Sequence, residues 1–89
     1  MTVAAASIPV RVRVQDAWDE ADLELSPDAT LQELKQRALA RFRIRRDPAG
    51  YAVKFRGAEI LDETRTLMEV GVVPNAGLIV LPRRRRPVR

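Results

Sequence analysis

The chain contains no cysteine and no histidine among its 89 residues. Without cysteine it cannot form disulfides, carry a thioester or bind a metal through thiolates. Without histidine it lacks the side chain that most often moves protons at neutral pH and most often ligates transition metals. Nucleophile–base pairs are not expected, and the sequence predicts no enzymatic activity, no metal site and no cofactor.

Long apolar runs are also missing. No run approaches the roughly 18 residues that a membrane span requires, and residues 1–7 carry no basic side chain ahead of an apolar stretch. We therefore expect a cytoplasmic protein with no membrane insertion. Only four residues are aromatic, so the core of this single small domain must consist mainly of Val, Leu, Ile and Ala.

The net charge of +4 is unevenly distributed along the chain. Residues 83–89 contain five arginines, whereas residues 1–82 contain eleven basic and twelve acidic side chains and sum to −1. The pattern predicts a flexible N-terminus over 1–7, a folded domain over 8–82 and an arginine-rich tail over 83–89. Arginine outnumbers lysine by fourteen to two, a bias that hints at a GC-rich bacterial source.

Two short segments near the N-terminus alternate between apolar and polar residues. Residues 8–14 read IPVRVRV and residues 21–25 read ADLEL, which is the period of half-buried strands. Their short polar connection predicts a hairpin. Arg11 and Arg13 would then lie across from Asp22 and Glu24 on the exposed side.

The next segment is typical of an amphipathic helix. Thr30-Leu31-Gln32-Glu33 matches a capping box. An apolar stripe at helical spacing follows it, and the helix is expected to end near Phe42 or Arg43.

Three further strands are predicted over 51–55, 60–61 and 78–81, with one helical turn over 64–69 that Thr66 could cap. The order of elements predicts an α+β fold, a four- to five-stranded mixed sheet with one packed helix. The inward-facing residues would be Ile8, Val10, Val12, Val14, Leu23, Leu25, Leu31, Leu34, Ala38, Val53, Phe55, Leu61, Leu67, Val72, Leu78 and Val80.

Several of these segments resemble the ubiquitin-like β-grasp family. The matches are Thr30 to Lys35 with the start of the family's helix, Val53 to Gly57 with its third strand, and LDETRTL over 61–67 with ubiquitin's Leu-acid-acid-Gly-Arg-Thr-Leu segment. Residues 67–80 also resemble the bacterial YukD-like branch. The resemblance covers about residues 8–82 and implies the β-grasp fold.

The sequence departs from ubiquitin at three points. The family's C-terminal Gly-Gly, used for activation and attachment, is missing, and Arg86 and Pro87 stand near its place. Lys54 stands where ubiquitin's apolar patch has its central isoleucine. Apart from Lys54, Lys35 is the only lysine, so most of the lysines that ubiquitin uses for chains are absent.

The last strand offers the best candidate for a protein-binding site. If Leu78 and Val80 point inward, Ile79 and Leu81 point outward. In a ubiquitin-like sheet they would be flanked by Arg11 and Arg13 on one side and Lys54 on the other. An apolar centre with a basic rim suits a partner protein with an apolar and acidic surface. The alternative is that Ile79 and Leu81 are ordinary strand residues shielded by arginine stems.

Two further features are candidates for binding. Trp18 lies in the acidic first hairpin loop, where it could anchor an interface or fold back over the hairpin. The tail could contact phosphates or an acidic partner, or it could be a solvated end or a linker. No aromatic residues are interleaved in it to stack on bases, so nucleic acid is not the expected partner. The tail arginines are Arg83, Arg84, Arg85, Arg86 and Arg89.

These features favour a non-covalent protein-interaction module. The YukD-like resemblance implies an accessory component of a bacterial type VII secretion system. One alternative is a protein modifier of a bacterial operon that also encodes activating, conjugating and deubiquitinating enzymes. Another is a nucleic-acid binder driven by the arginine tail.

Overall fold

The computed structural model describes residues 7–83. Its elements, in chain order, are β1 Ile8–Val14, β2 Asp19–Leu25, α1 Leu31–Arg41, β3 Tyr51–Phe55, β4 Ala58–Glu59 and β5 Ala76–Pro82. The five strands form one sheet in the order β2-β1-β5-β3-β4. β5 runs parallel to β1 and antiparallel to β3. The predicted α+β fold, a mixed sheet with one helix, is confirmed.

The first hairpin forms because each strand has one apolar side. Val10, Val12 and Val14 are buried, and β1 pairs with β2 so that Arg11 faces Asp22, as predicted. The prediction that Arg13 faces Glu24 is wrong, because Arg13 lies opposite Glu20. The turn between two strands fixes their register, and here β2 begins earlier than the apolar pattern alone indicates.

The helix α1 begins and ends where the sequence predicts. The Thr30 hydroxyl accepts a hydrogen bond from the Glu33 amide at 3.1 Å, which satisfies one of the free N–H groups of the first turn. Phe42 is the C-terminal capping residue. The buried face of α1 consists of Leu31, Leu34, Lys35, Ala38 and Leu39.

The segment after β3 differs from the prediction in three respects. The short strand β4 occupies 58–59 rather than 60–61. The Ile60 amide donates to the Val53 carbonyl at 2.9 Å, and the Ile60 side chain packs against the core. Leu61, predicted to face inward, is 81% exposed. Because Ile60 takes the inward position, its neighbour Leu61 must point away from the core.

The predicted helical turn over 64–69 is present as a single hydrogen-bonded turn over 66–70, in which the Val70 amide donates to the Thr66 carbonyl at 3.2 Å. Thr66 caps this turn. Its hydroxyl accepts from the Glu69 amide at 3.1 Å, and its own amide donates to the Glu69 carboxylate at 3.0 Å. The reciprocal pair satisfies two backbone donors in a stretch without regular structure.

Among residues 7–83, one charged side chain is buried. Lys35 is only 2% exposed. Its ammonium group donates to the Tyr51 carbonyl at 2.9 Å and lies 2.6 Å from a Glu63 carboxylate oxygen. The second Glu63 oxygen lies 3.2 Å from the Arg83 guanidinium, which also contacts Glu59 at 2.8 Å. This lysine–glutamate–arginine network connects α1, β3 and the loop after β4 with the end of β5.

We expect Lys35→Ala to lower the free energy of unfolding by about 3 kcal/mol, because it leaves the Tyr51 carbonyl and Glu63 without their buried partner. Lys54→Ala, at the only other lysine, should change it by less than about 0.5 kcal/mol, because Lys54 lies on the sheet surface. Urea unfolding of both variants measures the difference. Equal losses would contradict the assigned role of Lys35.

Candidate functional site: the outer face of the sheet

The surface opposite α1 is here called the outer face of the sheet. One row of side chains crosses all five strands at its centre. Pairwise register places Arg13 beside both Glu20 and Ile79, and Lys54 beside both Ile79 and Glu59. The predicted flanking of Ile79 by Arg13 and Lys54 is therefore present in the structure, whereas Arg11, predicted to flank the same centre, lies beside Gly77. Ile79 occupies the middle position.

The apolar centre of the outer face consists of two residues of unequal exposure. Ile79 is 40% exposed, whereas Leu81 is half-buried and lies opposite the buried Ala52. Leu78 and Val80, between and beside them, are buried on the helix side. Ile79 therefore presents the main apolar contact, and Leu81 forms a recessed continuation of it.

The basic side chains around this centre already have acidic neighbours on one flank. The Arg13 guanidinium lies 3.2 Å from Glu20, and the Arg11 Nε lies 3.6 Å from Asp22 and 3.7 Å from Glu20. These pairs are exposed and contribute little stability. The outer face thus has basic residues next to Ile79 and carboxylates on β2 beyond them, with Glu20 rather than the predicted Glu24 as the partner of Arg13.

Trp18 projects from the end of the first hairpin. A 3₁₀ turn over Gln15–Ala17 ends at Trp18, whose backbone is left-handed with φ of 54° and whose amide donates to the Gln15 carbonyl. The side chain is 88% exposed, so it does not cover the hairpin. Trp18 lines a surface depression together with Arg11, Arg13 and Ile79. The structure therefore brings these four candidate residues together.

The turn that carries Trp18 is anchored to the neighbouring part of the fold by a buried tyrosine. The Tyr51 hydroxyl donates to the Asp16 carboxylate at 2.6 Å, and the Tyr51 side chain is buried. Burial raises the pKa of the Tyr51 phenol above its ordinary value, and the hydrogen bond to the Asp16 carboxylate adds to the rise. The sequence analysis missed this contact, because 35 residues separate its partners.

The structure describes only the first residue of the predicted tail. The Arg83 amide and side chain donate to the Gly50 and Ala49 carbonyls at 2.8 and 3.0 Å, so Arg83 is held against the domain. The remaining predicted tail contacts, Arg84, Arg85, Arg86 and Arg89, lie outside the described residues, as do residues 1–6 of the predicted flexible N-terminus.

Two further findings concern the described range 7–83. None of its helices has the length and apolar character needed to cross a bilayer. Within the same range, no three acidic residues come together in a way that could hold a metal ion.

Comparison with solved structures identifies the fold. The ubiquitin-like domain of an Arabidopsis thaliana protein is 18% identical, with a TM-score of 0.75 over 99% of this chain and 89% of that one. Caldiarchaeum subterraneum ubiquitin is 17% identical, with a TM-score of 0.76 over 90% and 98%. A de novo design based on ubiquitin is 20% identical, with a TM-score of 0.76 over 97% of this chain and 100% of that one. The chain has the ubiquitin-like β-grasp fold.

At the level of sequence, the comparisons found no match. No family model matches the chain, and no curated protein matches it either. The identities to the solved structures are all low, so these structures establish the fold and leave the function to be argued from the surface.

Two replacements of Trp18 test whether the backbone at this position is left-handed. We expect Trp18→Gly to be more stable than Trp18→Ala by about 1 kcal/mol, because glycine adopts the left-handed conformation without strain. Both variants lose little packing, because the ring is 88% exposed. Thermal unfolding compares them, and an alanine variant as stable as the glycine variant would contradict the left-handed turn.

The raised pKa of Tyr51 predicts a dependence of stability on pH. A phenol whose pKa is higher in the folded than in the unfolded state stabilises the fold fully below its unfolded pKa, here 10.0, and this stabilisation is lost as the pH rises through the folded pKa. We therefore expect the wild-type advantage over Tyr51→Phe, about 1 kcal/mol at neutral pH, to shrink above pH 10.

Urea unfolding at a series of alkaline pH values tests this expectation, and comparison with Tyr51→Phe removes the common effect of lysine titration. Because Tyr51 is the only tyrosine, its phenolate absorbance gives the folded pKa directly. A constant difference between the two proteins across this pH range, or a phenol that titrates normally, would contradict the buried hydrogen bond.

Proposed function

We propose that this chain is a non-covalent protein-interaction module that binds its partner through the outer face of the sheet. The observation that supports it most is the position of Ile79. This apolar residue is 40% exposed at the centre of a five-stranded sheet, between Arg13 and Lys54 and beside the depression lined by Trp18. Exposed aromatic and arginine residues around an apolar centre are typical of protein interfaces.

The charges around Ile79 constrain the partner. Arg11 and Arg13 form ion pairs with carboxylates of β2. Among residues 7–83, no carboxylate lies within ion-pair distance of Lys54. A partner with an apolar side chain for the centre and an acidic residue on the Lys54 side would fit this arrangement. Trp18 would cover the opposite side of the partner's apolar residue.

Within this proposal, the chain acts in the bacterial cytoplasm as an accessory component of a type VII secretion system. The support is the resemblance of residues 67–80 to the YukD-like branch and the arginine-rich composition. The role proposed is binding without catalysis, since the sequence contains neither histidine nor cysteine.

One observation favours non-covalent binding over the role of a protein modifier. Lys35 is buried in an ion pair with Glu63, so the folded protein does not offer it for chain formation. Lys54 is the only lysine on the described surface.

A photo-cross-linking residue at position 79 tests the proposal in cells that make the protein. We expect a covalent adduct with a second protein from position 79 and none from position 68, because Met68 is an exposed apolar residue outside the strands, whose amide donates to the Pro27 carbonyl. The adduct identifies the partner for a binding measurement with purified proteins.

In that measurement, Ile79→Glu should weaken binding at least tenfold, because a carboxylate would have to be buried at the apolar centre. The matched variant Met68→Glu, with the same charge change at another exposed apolar site, should bind within about twofold of wild type. Equal losses from both variants would refute the outer face as the binding surface.

A further inference from the structure

A second surface of the domain is strongly basic. The connection from the end of α1 toward β3 carries Arg41, Arg43, Arg45 and Arg46, all exposed, and is here called the arginine connection. Together with Arg37, the run 37–46 contains five arginines and no acidic residue. The near-neutral total for residues 1–82 does not reveal this concentration, because four of the twelve acidic residues lie in β2.

The fold places three of these arginines beside two half-buried apolar residues. Arg45 and Arg46 line one surface depression with Phe42 and Ile44. The Arg41 guanidinium lies over the Phe42 ring, 5.7 Å from its centre. Phe42 and Ile44 pack against the core, which holds the backbone of the arginine connection at the end of the helix.

The carboxylates of Asp16 and Asp47 accept hydrogen bonds from other groups. Asp16, which lines the same depression, accepts the Tyr51 hydroxyl at 2.6 Å. Asp47 accepts the Ala49 amide at 2.9 Å. Over the range 7–83, none of the four arginines has a carboxylate within ion-pair distance, in contrast to Arg11 and Arg13 on the outer face.

We propose that the arginine connection binds the phosphate backbone of nucleic acid, without sequence preference. A protein interface requires a desolvated apolar centre, and here Phe42 and Ile44 are half-buried in the domain itself. A repeated phosphate chain needs only positive charges, because its binding is driven by the release of counterions. Guanidinium groups suit phosphates through paired hydrogen bonds. This site goes beyond the protein-binding function proposed for the outer face.

The test uses the full chain and fluorescence anisotropy with a labelled double-stranded DNA of 20 base pairs and a single-stranded RNA of 20 nucleotides, at several salt concentrations. Arg43→Gln/Arg45→Gln should weaken binding at least tenfold at about 0.1 M salt, and should make the dependence of affinity on salt shallower by about two phosphate contacts.

Arg56→Gln/Arg65→Gln is the matched control. It removes the same charge from two exposed arginines, and Arg56, like Arg43, has a left-handed backbone with φ of 56° against 59°. This control should bind within about twofold of wild type. Thermal unfolding confirms that both double variants are folded.

Three outcomes would overturn the proposal. Equal losses from both double variants would mean that net charge alone drives binding. A wild-type chain that binds neither nucleic acid at about 0.05 M salt has no such site. Binding to vesicles of anionic lipid that depends on Arg43 and Arg45, without binding to nucleic acid, would assign the surface to membranes instead.

Discussion

The position of β5 is the constraint on which the rest of this structure depends. The strand lies between β1 and β3, parallel to the first and antiparallel to the second. Its alternation buries Leu78 and Val80 under α1 and leaves Ile79 on the other side at the centre of the sheet. A shift of one residue would reverse both sets. The same pairing that completes the core therefore creates the exposed apolar centre.

Charge divides the molecule into two chemically different surfaces. The outer face has an apolar centre with basic neighbours whose carboxylate partners lie on β2, a composition that suits a protein surface. The arginine connection is also basic, but its guanidinium groups have no carboxylate partners among residues 7–83. Inside the domain, the buried pair of Lys35 and Glu63 connects the helix to the sheet and to Arg83.

Local patterns were sufficient for much of this fold. The capping residue Thr30 and the apolar stripe located α1, and strict alternation gave the inward and outward sides of β1 and β5. Ile79 between Arg13 and Lys54 follows from this alternation once the strand order is assumed. The exposure of Trp18 was one of two alternatives that the sequence left open.

Features that depend on distant parts of the chain could not be predicted in this way. The burial of Lys35 requires Glu63 and the Tyr51 carbonyl, which no local pattern connects to α1. The choice of Ile60 over Leu61 as the inward residue depends on where β4 ends. The arginine connection can be read directly from the sequence. The net charge summed over residues 1–82, which is close to zero, does not reveal it.

The emission of Trp18 tests the central claim about the outer face most directly, because it is the only tryptophan and lies beside Ile79. The measurement is a titration of the protein with the partner identified by cross-linking. Because the partner would cover Trp18, we expect its emission to shift to shorter wavelength and its quenching by acrylamide to be lost. Dilution should reverse both changes. Saturating binding that leaves the emission and quenching of Trp18 unchanged would contradict the claim.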